Sequence, residues 1–115
     1  MRSKYKEIFK LKRMLEKEGI PFEFIEGFGY DKRLLSVYPD IMDHYQLCYP
    51  VFDPEKRVVS VIGGFGAHGY EQDKLEIMGL LTPYERFYHG DSVVGYLTAK
   101  NVFKRIKNHY EEENK

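Results

Sequence analysis

Tyr5, Ile8, Leu11 and Leu15 fall within one arc of a helical wheel, with Met14 at its edge, and Arg2, Lys6, Lys10, Arg13 and Lys17 fall on the opposite side. A helix divided in this way buries its apolar stripe and leaves its cations in water. Gly19 supplies a left-handed stop and Pro21 prevents the helix from resuming. Phe9 lies off the stripe and hints at a second contact surface. The far end of the chain has the same character. Thr98 is suited to cap a final helix whose stripe is Ala99, Val102, Phe103, Ile106 and Tyr110, with residues 110–115 expected to fray.

Between these ends the period shortens. Pro21–Glu26 is an aromatic alternation and reads as a strand. Residues 27–44 are the least periodic part, with Leu34–Tyr38 a short strand or part of a long loop. Tyr45–Tyr49 and Arg57–Ile62 read as two strands of an antiparallel hairpin, joined through the turn chemistry of Asp53-Pro54-Glu55-Lys56. A short helix is expected over Gln72–Leu81, because Leu75, Ile77, Met78 and Leu81 share a broad apolar side, with Thr82-Pro83 closing it. Pro83–Gly90 is aromatic and irregular, and Ser92–Leu97 reads as the last strand. The expectation is a single α+β domain over residues 1–115. It would have an antiparallel sheet of three to four strands, with an N-terminal, a short middle and a C-terminal helix packed mainly on one face.

Composition narrows the class. With 115 residues, 43% of them hydrophobic, the chain is long enough to bury a core without disulfides or metal. Lys+Arg and Asp+Glu both total 18, which is the profile of an ordered protein and not of a disordered one. No apolar run approaches a membrane span and none near Met1 reads as a signal peptide. The single cysteine, Cys48, has no partner for an internal disulfide, so a reducing cytoplasm is expected. The balanced charge hides a division. Residues 1–17 carry seven basic and two acidic residues, residues 18–99 six and thirteen, and residues 100–115 five and three. If the two basic ends packed side by side they would form a positive patch.

Four constellations invite a chemical reading. Gly64-Phe65-Gly66-Ala67-His68-Gly69 is a literal G-x-G-x-x-G, with Asp91 near where a ribose-binding acid would be sought. Glu71 and Asp73 would repel a pyrophosphate there, so the glycines are read as conformational devices for a sharp turn. Asp40 with Asp53, Glu55 and Lys56 resembles the acid–lysine set of a magnesium-dependent nuclease, but Asp53–Lys56 reads first as an exposed turn. The pairs Asp40/His44 and His89/Asp91 lack the ligand number of a metal site and are expected to be surface or hydrogen-bonded side chains. Cys48 alternates with Leu47 and Tyr49 in a strand and is expected to pack. No cofactor, metal or catalytic residue is therefore assigned.

The aromatics say more. Ten Tyr and eight Phe are many for this length, and Phe28, Tyr30, Phe65, Tyr70, Tyr84, Phe87 and Tyr88 fall in segments read as loops. Such residues are enriched at protein interfaces. Gly79, in the expected helix, and Gly95, in a strand, are read as places of close approach or, for Gly95, a bulge.

Several blocks also resemble one group of proteins. They are Glu18–Glu23, Ser60-Val61-Ile62 with its glycine-rich turn, Leu75–Thr82, and Val93–Ala99 followed by Val102–Ile106. Together they resemble small uncharacterised proteins of phages and prophages of Gram-positive bacteria, departing in Phe28–Tyr38. The resemblance implies a phage-encoded protein in a bacterial cytoplasm and brings no assigned activity and no catalytic residue. The resulting expectation is a non-enzymatic accessory protein acting by protein–protein contact or self-association, without a membrane. The alternative is nucleic-acid binding through Lys6, Lys10, Arg13 and Lys17, with a magnesium-dependent nuclease behind it.

Overall fold

The computed structural model describes residues 5–27, 44–90 and 92–115. Helix α1 (Glu7–Lys17) is followed by strands β1 (Glu23–Glu26), β2 (His44–Tyr49) and β3 (Val59–Gly64), then β4 (Leu75–Met78), helix α2 (Pro83–His89), β5 (Val93–Leu97) and helix α3 (Ala99–Glu113). The strands form one antiparallel meander in the order β1-β2-β3-β4-β5. The α+β class and the β2–β3 hairpin agree with the sequence reading. The three to four strands expected become five, because the segment read as a middle helix is β4.

That correction has a physical cause. Leu75 and Ile77 are buried, Glu76 is half-buried and Met78 is exposed, which is a two-residue alternation inside a stretch that also fits a broad helical arc. Pairing on both sides, with β3 and β5, outweighs helix propensity for so short a segment. Gly79 then turns the chain with φ 111°, and a Cβ there would overlap the Val58 carbonyl oxygen. The short helix of the fold lies just beyond, in the Pro83–Gly90 stretch read as irregular. Thr82 does not close a helix but opens one: its Oγ1 accepts from the Glu85 N–H at 3.1 Å, and Glu85 Oε1 accepts from the Thr82 N–H at 2.8 Å. This reciprocal cap, with Pro83 at the first helical position, satisfies donors that a helix start leaves orphaned. The spacing Thr82-x-x-Glu85 was its available signal.

One face of the sheet carries Tyr45, Leu47 and Tyr49 of β2, Val59 and Val61 of β3, and Leu75 and Ile77 of β4. Helices α1 and α3 cover it. Ile8, Leu11 and Leu15 from α1 and Ala99, Val102 and Ile106 from α3 complete the core, while Phe103 and Tyr110 of the predicted α3 stripe, and Met14 at the edge of the α1 stripe, are half-buried against it. Phe9 makes the second contact its position implied, with its ring centroid 5.0 Å from Tyr45 and 5.6 Å from Phe24. The two helices run parallel: Glu7 Oε1 accepts from the Ala99 N–H at 2.8 Å near both N-termini, and Lys107 Nζ meets Glu18 at 3.1 Å further along. Asp73, 66 residues away in sequence, accepts from the backbone N–H groups of Lys6 and Glu7 and so caps α1 from outside the helix. Helix α3 runs through to Glu113, past the Tyr110 boundary of the expected tail.

Strand β5 carries one more residue than β4 between the pairs Ile77–Val94 and Leu75–Leu97. This is the bulge that Gly95 pointed to, and Tyr96 within it has φ 61°. A Cβ on Gly95 would overlap His68, so the close approach is present as well. The suggested strand at Leu34–Tyr38 lies outside the described residues.

Candidate functional site

Helix α2 is the most exposed apolar element described. Tyr84, Phe87 and Tyr88 are 70%, 82% and 63% accessible, and their rings touch, with centroids 4.6 Å apart for Tyr84–Tyr88 and 5.0 Å for Phe87–Tyr88. Three of the seven aromatics chosen from sequence thus come together. Phe65 and Tyr70 do not join them: they are half-buried and pack on each other at 5.3 Å in the glycine-rich turn. Phe28 and Tyr30 lie outside the described residues.

The patch is held by a residue that the sequence reading did not assign a role. Arg105 of α3 grips Glu85 of α2 with two hydrogen bonds, 2.7 and 2.8 Å, and a third reaches the Leu80 carbonyl at 3.0 Å. Both side chains are mostly buried, so the pair is screened less than a surface pair. The Arg105 hydrogen bond holds the Glu85 carboxyl down at a pKa of about 2, with burial opposing and the Thr82 N–H adding to it. With Gly79 seated against Val58 at the start of the connection, α2 is anchored at both its entry and its inner face.

Beside α2 opens a cleft of about 300 Å3, lined among others by Arg57, Val58, Met78, Leu81 and Arg86. Met78, 53% exposed, continues the apolar surface, and the two guanidinium-bearing residues frame it. Arg57 also donates to the Phe52 carbonyl at 3.3 Å and lies 3.7 Å from the Cys48 sulfur. This arrangement offers rings and a methionine for apolar contact and cations for polar partners at the rim, the composition of a protein interface.

The other constellations resolve into structure. Gly64, Gly66 and Gly69 all take positive φ, at 86°, 91° and 98°, as the turn reading required. They lead into a single 3-10 turn at Tyr70–Gln72 and then β4, so no α-helix start stands behind them to receive a pyrophosphate. Asp53 is an exposed turn residue whose Oδ1 accepts from the Glu55 N–H at 3.0 Å, while Asp40 and Asp91 lie outside the described residues. His44 Nδ1 lies 2.9 Å from the Phe65 carbonyl, and His109 Nδ1 lies 2.8 Å from the Tyr49 hydroxyl. Burial raises the Tyr49 pKa, with Glu113 next in effect, so this phenol stays protonated. Cys48 is fully buried. Among the described residues no three His, Cys, Asp or Glu side chains are grouped to hold a metal, and no helix is long and apolar enough to cross a membrane.

Lys6, Lys10, Arg13 and Lys17 are all exposed on the outer side of α1. Arg2 lies outside the described residues. The fold and site thus define a small α+β domain, with a five-stranded meander backed by two parallel helices and an aromatic helix clamped at one end. Compared with known proteins, the chain matches no family model, no curated protein and no solved structure.

Proposed function

We propose that this is a non-enzymatic interaction protein that docks through helix α2, either with a second copy of itself or with another protein. One observation carries the reading: Tyr84, Phe87 and Tyr88 stand exposed on a helix held in place by the Arg105–Glu85 pair. Water-exposed aromatics on an ordered support lose little conformational entropy on binding, so the apolar area they bury is largely retained as affinity. A bacterial cytoplasm and a phage or prophage accessory role belong to the same proposal and rest on the sequence resemblance.

The test is light scattering coupled to size-exclusion chromatography over a concentration series, together with capture from bacterial lysate. The wild-type chain should self-associate or retain a protein, and the combined Tyr84→Ser, Phe87→Ser and Tyr88→Ser variant should lose that behaviour with an unchanged circular dichroism spectrum. A wild-type monomer that retains nothing, or a triple variant that associates equally well, refutes the proposal.

A further inference from the structure

The parallel packing of α1 and α3 does more than close the core. On α1, the wheel positions of Lys6, Lys10, Arg13 and Lys17 span about 60° and lie opposite the buried stripe of Ile8, Leu11 and Leu15, on the outer side of the helix. Glu7 and Glu18, about 100° round the helix from that row, occupy the seam and meet α3 at the Ala99 N–H and at Lys107. On α3, Lys107 faces α1 through that ion pair, and Lys100 and Lys104 lie within about 60° of it, turned outward. Lys6, Lys10, Arg13, Lys17, Lys100 and Lys104 are all exposed. Two rows of cations therefore stand on the solvent side of two parallel helices. Along α1 they recur about every 6 Å, and the axes of two packed helices usually lie about 8–10 Å apart. Glu7 and Glu18 are the acids of the seam, and each already has a partner, with Lys10 also 3.9 Å from Glu7, while exposed Glu111 ends the α3 row one turn beyond Lys107.

We infer that this two-helix face binds the phosphate backbone of a nucleic-acid duplex. The character of the face selects that partner. The large exposed hydrophobic residues described are Ile25, Met78, Tyr84, Phe87, Tyr88 and Tyr96, and none of them belongs to α1 or α3. A face without exposed rings has nothing on which unpaired bases stack, and one without exposed apolar side chains has nothing to insert between lipids. What it offers is regularly spaced positive charge, which suits a rigid, densely charged duplex and releases its counterions. The surface is separate from the aromatic patch on α2, so the two proposals stand or fall independently.

The experiment is fluorescence anisotropy with a labelled duplex of about 20 base pairs, titrated at salt concentrations from about 50 to 200 mM. Affinity should fall with salt, with a log–log slope of about −4 if four to five phosphates are engaged. The double variant Lys10→Glu with Lys104→Glu, one change per helix, should bind at least about tenfold more weakly and flatten the slope by about 2. The matched double variant Lys56→Glu with Lys74→Glu, both outside α1 and α3, should stay close to wild type. The α2 triple serine variant should bind duplex as the wild type does. Four results overturn the inference: no binding at the lowest salt; equal loss in both charge-reversed doubles; tighter binding to the single strand; or preferred binding to phosphatidylserine vesicles over duplex.

Discussion

Arg105 shows how one side chain can set the position of a whole surface. Its guanidinium satisfies both oxygens of Glu85 and the carbonyl of Leu80, a residue held at φ 54° where bulky side chains are rare. Replacing it with alanine leaves a mostly buried carboxylate with only its Thr82 N–H bond and takes the guanidinium donor from the Leu80 carbonyl, so Arg105→Ala should cost about 1.5–3 kcal/mol in urea unfolding near neutral pH. The pair also sets a pH signature. Glu85 titrates lower in the folded chain than in the unfolded one, so its contribution is complete above the ordinary carboxyl value of 4.5 and is lost as pH falls toward 2. The gap in stability between wild type and Arg105→Ala should therefore narrow between those limits, and a gap independent of pH would exclude the assignment. Gly79 and Gly66 provide a second contrast. Both have positive φ, but a Cβ at Gly66 meets nothing within 4 Å, while one at Gly79 overlaps the Val58 oxygen. Gly66→Ala should cost about 1 kcal/mol and Gly79→Ala about 2–4 kcal/mol, read from denaturant midpoints.

Among the elements, those with a long unambiguous period were readable in advance. Helix α1 has eleven residues and α3 fifteen, enough turns for a stripe to separate from chance, and their buried residues are those the wheel selects. β4 has four residues and α2 seven. Over such lengths Leu75, Ile77 and Met78 fit both a strand and a helical arc, and the choice falls to neighbours distant in sequence. Helix α2 did carry a local signal in its capping spacing, but its outward aromatics mask any apolar stripe facing the core. Rings that would mark a core face in an ordinary helix are here turned to solvent. The aromatic site was thus legible as a set of residue types near Tyr84–Tyr88, and its separation from Phe65 and Tyr70 was not.

Across the whole molecule, long-range polar contacts orient the helices and apolar burial holds them. Asp73 caps α1 from 66 to 67 residues further along the sequence, and Glu7 in turn accepts from the first N–H of α3. These links align two helices, yet each is a partly exposed hydrogen bond. Asp73→Ala should cost about 1 kcal/mol, whereas Leu11→Ala, which empties a fully buried site between α1 and the sheet, should cost about 2–5 kcal/mol. Equal losses in thermal unfolding would mean that capping, not packing, fixes α1. The charge pattern along the chain has its spatial counterpart here. Basic ends and an acidic middle are properties of the linear order, and they become a one-sided basic face only because α1 and α3 lie parallel.

Periodicity and turn chemistry, which are local, were enough to establish an α+β domain, its two long amphipathic helices, the β2–β3 hairpin, and glycines that shape a turn. Strand number, the identity of β4, the clamp on α2 and the joining of two lysine rows depend on contacts between residues far apart in the chain. Their energies come from pairing and burial that no short window of residues contains, so they exist only once the chain has closed on itself.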